Sequence, residues 1–226
     1  IVVLTEMSYE AVRSYPSATA GVAVGNGYSH DCNMTLTIAS YIQNLGYRAV
    51  ATVNDTSQGI PYAIQAGLGE YARSGLLIHQ EFGPRTRIGR IHTDLPLTHD
   101  KPINFGVRDF CEVCNRCSDN CPPGAIPEGP PQEEIISQSN IVGIRKWTVE
   151  AEKCFKFWVN QGTECGVCMR ICPYNKGRDT ALARTYYNLW KKLANSPFRK
   201  LALWLDIKLG YGTRLKPKEW WARRRL

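Results

Sequence analysis

No run of about 18 consecutive apolar residues occurs in the chain, so no segment reads as a membrane-spanning helix. No basic-then-apolar leader with a small-residue cleavage site opens it. The Walker sequence, a GxGxxG turn opening a helix and HExxH are also missing, which removes the usual signatures of nucleotide and zinc-protease chemistry. An initiator Met is absent as well. The chain starts Ile1-Val2-Val3-Leu4, an apolar run that reads as a buried strand, and the expectation is a mature product or a piece of something longer.

Acidic residues are scarce toward the C-terminus. From Gly177 to Leu226 there are thirteen Lys and Arg against three Asp and Glu, so this tail carries +10 of a net +8 and residues 1–176 sum to −2. A basic tail suits nucleic acid, an anionic surface or an acidic partner, or it is simply a solvated helical face.

What is present divides into three stretches. Residues 1–101 read as an α/β layer with a mixed sheet. Ile1–Met7 is a strand, Gly21–Gly27 a small-residue loop and Tyr28–Tyr47 a helix, with Leu36, Ile38, Ile42 and Leu45 near one face and Gly46 as its stop. Arg48–Val53 is a second strand, and Pro61 suits the first turn of a helix running to about Ser74. Leu76–Phe82 and Arg87–Leu95 flank Gly83-Pro84 as a hairpin. Residues 102–177 hold almost all the cysteine and have the look of a metal-stapled unit, in which metal replaces a hydrophobic core. Residues 178–226 mix Trp190, Trp204, Trp220 and Trp221 with Lys and Arg, and should form helices packed back on the body.

Eight of the nine cysteines fall in two groups, Cys111-x2-Cys114-x2-Cys117-x3-Cys121-Pro122 and Cys154-x10-Cys165-x2-Cys168-x3-Cys172-Pro173. Two-residue spacers let one tight turn aim successive thiolates at the same 4Fe–4S cluster, while the cysteine before proline serves the other cluster. Cys111, Cys114, Cys117 and Cys172 should therefore hold one cluster, and Cys121, Cys154, Cys165 and Cys168 the other. Disulfides fit poorly, because an odd count in three-residue steps gives bad bridging geometry. Structural zinc prefers paired CxxC units. Cys32 stands apart as a lone thiol suited to core packing. Clusters relay electrons but do no chemistry on a substrate, so the remainder of the chain must use those electrons or pass them on.

Lys101-Pro102-Ile103-Asn104-Phe105-Gly106-Val107-Arg108-Asp109-Phe110-Cys111 resembles the corrinoid-dependent reductive dehalogenases. Ile64-Gln65-Ala66-Gly67-Leu68-Gly69-Glu70, then Arg73-Ser74-Gly75-Leu76-Leu77-Ile78, is similar to their cobalamin domain, as is Glu81-Phe82-Gly83-Pro84 followed by Arg87. The resemblance implies a nitroreductase-like α/β domain, present here in part, around base-off cobalamin, with a two-cluster ferredoxin-like insert. It implies reduction of cobalt to Co(I) through the clusters and removal of halide from a small organohalide. Tyr28 matches the family's proton-donor tyrosine, with Arg87 and Asn54 matching its neighbours. A permanently charged Arg87 would ease proton delivery from the phenol, and Asn54 could hold the phenol or the halide. Gly67, Leu68, Gly69 and Gly75 would let backbone approach a flat macrocycle. With a base-off corrinoid, His30, His79, His92 and His99 are not needed as cobalt ligands.

The resemblance further implies an electron donor reached through a small membrane-anchor protein, a peripheral place on the outer face of the cytoplasmic membrane, and no nucleic-acid partner. It is compatible with a homodimer. Family members are about twice this length and carry a twin-arginine leader, so a C-terminal portion of a longer enzyme is expected. Two other readings stay open: an epoxyqueuosine reductase-like enzyme acting on tRNA, which the basic tail would suit, and a ferredoxin-type carrier with no catalysis of its own.

Overall fold

The computed structural model describes residues 1–53, 56–136 and 142–222. The chain opens with β1 (Val2–Glu6), a single helical turn α1 (Tyr9–Val12), the long helix α2 (Ala18–Asn44) and β2 (Ala49–Thr52). Helix α3 (Gly59–Gln65), the short strands β3 (Glu70–Tyr71) and β4 (Leu77–Ile78), and the eight-residue β5 (Thr86–Thr93) follow. β5 lies between β1 and β2 and is antiparallel to both, with Leu4 opposite Ile88 and Ala51 opposite Ile91. The mixed sheet expected from the sequence is thus antiparallel in every described pairing. The β1–α2–β2 crossover leaves a one-strand gap, and β5 fills it.

α2 lies across this sheet. Val3, Ala39, Ile42, Ala49 and Ile91 form the core between them. The inward stripe runs through Asp31, Thr35, Ala39 and Ile42, at helical spacing, so Leu36 and Leu45 of the expected apolar face are exposed instead. The stop at Gly46, in the left-handed region at φ +92°, is as expected.

Three local expectations are corrected. Gly21–Gly27 is helical rather than loop, because Ser17 caps α2 by accepting from the Ala20 amide and the small residues let α2 pack closely. Ala20 and Val24 are buried against Met7, Val12 and Tyr15. Helix α3 ends at Gln65, well before Ser74, where Gly67 turns left-handed at φ +70°. The hairpin predicted around Gly83-Pro84 forms one step earlier: β4 pairs back on β3, and an isolated His79–Gly83 bridge closes just ahead of Pro84. β5 is engaged on both edges by β1 and β2, so it has no free edge for β4.

The cysteine-rich stretch is built on short helices, α4 (Val107–Val113), α5 (Arg116–Asp119), α6 (Ala151–Gln161) and α7 (Val167–Ile171). The basic tail forms α8 (Ala181–Ala194), α9 (Arg199–Lys208) and α10 (Pro217–Ala222). It packs back on the body as expected. Ala72 and Ile78 near the hairpin, Phe110, Trp147 and Tyr174 of the cysteine-rich stretch, and Trp190 and Ala202 of the tail share one core. Tyr174 meets Phe110 and Trp190 edge-on at 5.5 and 5.2 Å. No helix among the described residues is long and apolar enough to cross a membrane.

Candidate functional site

A cavity of about 840 Å³ is of the size that takes a sizeable organic ligand. One wall is α2 and β5. Tyr28 lies there, and Arg87 reaches it from β5, with Nη1 donating to the phenol oxygen at 3.2 Å and the guanidinium carbon 4.3 Å from the ring centroid. Gly27 makes this approach possible, since a Cβ there would stand 3.1 Å from both Arg87 Cγ and Met7 Cγ. Asp31, one turn after Tyr28, also lines the cavity, and burial raises its carboxyl despite the nearby Arg90 and Arg87 guanidinium groups. Nothing in the sequence marks Asp31, which only the α2–β5 packing brings to the site. Asn54 lies outside the described residues.

The opposite wall is the β3–β4 hairpin. Tyr71, Gly75, Leu76 and Leu77 face the large cavity, whereas Ala72, Ser74 and Ile78 face a small cavity lined by Cys111, Cys114, Cys117 and Cys172. One hairpin therefore separates the two compartments. Of the four residues expected to approach a macrocycle, Gly75 lines the cavity, at φ +74° on the hairpin turn. Gly67, Leu68 and Gly69 do not. A Cβ on Gly67 would come within 2.7 Å of the Lys101 carbonyl, and one on Gly69 within 2.3 Å of the Ile78 carbonyl, so both glycines serve chain-to-chain packing.

The last cysteine of the second group lies toward the first group. Cys172, at the end of α7, lies within electrostatic reach of Cys111, Cys114 and Cys117. Cys168 is in reach of Cys121, Cys154 and Cys165, and also of Cys117, so the groups adjoin. Burial pushes the Cys114 thiol up to about 11 and the Cys117 thiol up to about 12, and raises Cys111, Cys172 and Cys168 as well. Coordination to a cationic metal would offset that rise, since the thiolate is the ligand form. Backbone amides of Arg73, Arg116, Ser118 and Tyr174 act in the opposite direction to burial on Cys111, Cys114, Cys117 and Cys172, favouring the thiolates. In the second group the Ala125 amide donates to Cys121 Sγ at 3.3 Å and the Val167 amide to Cys165. Among the described residues no three His, Cys, Asp or Glu side chains converge on a single point. The first four thiols instead surround a space, which fits a cluster whose iron atoms each take one thiolate.

Residues 110–175 match the family described as a 4Fe-4S double cluster binding domain. Over 97% of its length the chain is 40% identical to a tetrachloroethene reductive dehalogenase of Desulfitobacterium hafniense. This chain belongs to the reductive dehalogenase family. It spans about 40% of the length of that curated relative. The solved structure of a catabolic reductive dehalogenase in complex with 3-bromo-4-hydroxybenzoic acid superimposes with a TM-score of 0.84 at 30% identity, covering 97% of this chain and 31% of that one. A reductive dehalogenase structure titled as suggesting a mechanism for B12-dependent dehalogenation gives a TM-score of 0.82 at 30% identity, with the same coverage. The α/β layer and the cysteine-rich stretch of this reductive dehalogenase chain are therefore those of its family.

Proposed function

We propose that this chain carries the electron-supply and proton-donor parts of a corrinoid-dependent reductive dehalogenase. An organohalide, two electrons and a proton become the dehalogenated product and a halide ion. The observation that carries the reading is the placement of Tyr28 and Arg87 on one wall of a large cavity whose other wall backs onto the first thiol group. A reduced corrinoid, when bound, supplies electrons to the carbon–halogen bond. Cys111, Cys114, Cys117 and Cys172 hold the 4Fe–4S cluster nearer the cavity, and Cys121, Cys154, Cys165 and Cys168 hold the other. Gly75 and its neighbours in the hairpin close the cavity on the cluster side.

Tyr28 keeps a proton on its phenol oxygen and delivers it to the carbon that loses halide. Arg87 orients that oxygen and stabilises the negative charge left on it. Family likeness supplies Asn54 as the third member of the trio, with the role of holding the phenol or the halide by a hydrogen bond. Family likeness carries the further proposal that the whole protein works peripherally at the outer face of the cytoplasmic membrane, taking electrons from a donor reached through a small membrane-anchor protein.

The test is Tyr28→Phe in the full-length holoenzyme. Halide release should fall by about 100-fold or more, the scale of a lost general acid. Corrinoid absorbance and iron content should be unchanged. Undiminished halide release would remove Tyr28 from the reaction.

A further inference from the structure

Arg73 sits at the turn of the β3–β4 hairpin, between the large cavity and the first thiol group, and is 1% exposed. A guanidinium stays charged at any pH a protein tolerates, so this is a full positive charge taken out of water. Among the described residues its nitrogens donate to neutral backbone carbonyls alone: Nη2 and Nε to Cys111 at 2.8 and 3.3 Å, and Nη1 to Pro127 at 3.0 Å and Gly129 at 2.8 Å. The Trp147 ring lies under it, 4.7 Å from centroid to guanidinium carbon. Among the described residues no carboxylate is within ion-pair distance of it. The half-buried Arg116 and buried Lys176 beside these thiols differ, since they share the carboxylate of Asp206.

A buried charge without a counter-charge is costly, and carbonyl dipoles offset only part of that cost. The Arg73 charge acts on Cys111, Cys114 and Cys117. We infer that the counter-ion of Arg73 is the anionic cluster those cysteines hold with Cys172, and that Arg73 is a positioning residue that sets this cluster's reduction potential. Reduction adds one electron to a cluster already negative, and a fixed cation alongside favours the reduced form. The residue sits in the wall between cluster and cavity, so it raises the potential of the cluster that faces the acceptor and leaves the second cluster alone. The inference rests on the ligand assignment proposed above.

The experiment is an EPR-monitored potentiometric titration of the anaerobically loaded full-length enzyme, comparing wild type with Arg73→Gln and Arg73→Lys. Arg73→Gln should move one cluster signal to more negative potential by at least a tenfold change in its one-electron equilibrium, about 59 mV. The other signal should stay in place, and Arg73→Lys should titrate close to wild type. If Arg73→Gln holds both clusters and neither potential moves, the inference is wrong. If Arg73→Gln holds no iron, Arg73→Lys decides, because lysine keeps the charge but cannot fork between the Cys111 and Gly129 carbonyls. A loaded Arg73→Lys enzyme at wild-type potential then supports the charge role, and a displaced potential or an empty site makes Arg73 a brace only. A wild type without a pair of 4Fe–4S signals would instead refute the cluster assignment itself.

Discussion

Asp206 accepts from both Lys176 Nζ and Arg116 Nη1, and none of its side chain reaches solvent. It lies on α9, whereas its two partners belong to the cysteine-rich stretch, so one carboxylate pins the tail to the cluster region. Lys176 is further enclosed by aromatic faces, 3.9 Å from the Tyr211 centroid and 4.3 Å from that of Trp190. Replacing Asp206 with Asn would leave a buried Lys176 and a half-buried Arg116 facing a neutral amide. The expected loss is about 3–5 kcal/mol, the range for breaking a buried ion pair from one side. Urea unfolding of the loaded protein measures it, and a loss below about 1 kcal/mol would mean that water reaches Lys176 and Arg116 after all. None of this was legible in the sequence, where Asp206 is one acid in a basic tail. Tyr28 and Arg87, by contrast, stand out in the sequence through the family resemblance, and the fold brings them to 3.2 Å.

At the scale of elements, legibility followed whether the determining contacts were local. The cysteine spacing is local chemistry, so both groups could be read from it. The strands β1 and β2 and the end of α2 at Gly46 could be read for the same reason. The start of α2 could not, because Gly21, Gly25 and Gly27 lower helix propensity and only packing against Met7, Tyr15 and Arg87 makes up for it. The pairing of β4 was hidden too, since a Gly-Pro turn signal says nothing about β1 and β2 occupying both edges of β5.

The β3–β4 hairpin is the element most exposed to a single atom. Gly69 has no room for a Cβ, which would lie 2.3 Å from the Ile78 carbonyl, and that atom is backbone and cannot swing aside. Gly69→Ala must push β4 away from β3. Because Ile78 and Leu77 face different compartments, one displacement disturbs both. The full-length Gly69→Ala enzyme should bind less corrinoid and less iron than wild type, measured by absorbance and metal analysis on the same sample. Loss of one cofactor with full retention of the other would show that the hairpin is not the shared wall.

On the scale of the whole molecule, the core has no purely organic centre in its cysteine-rich stretch. Cys111 and Cys114 are themselves core residues, packed with Phe110, Trp147, Tyr174 and Trp190. Helix α6 contributes no buried side chain, and α4, α5 and α7 are at most seven residues long, too short to persist without the metal between them. Cys172 of the second group lines one small cavity with Cys111, Cys114 and Cys117 of the first, and the tail leans on both groups through Asp206 and Trp190. It also reaches the first stretch, where the Leu215 amide donates to the Arg13 carbonyl at 2.9 Å. Iron is therefore expected to hold more than its own binding loops. Stripping it with a chelator under anaerobic conditions should release both clusters together and, in the same transition, shift Trp190 fluorescence to the exposed range. Comparing Trp190→Phe with the parent isolates that signal from the other tryptophans. If one cluster leaves while Trp190 stays buried, the two groups are independent units and the tail does not depend on them.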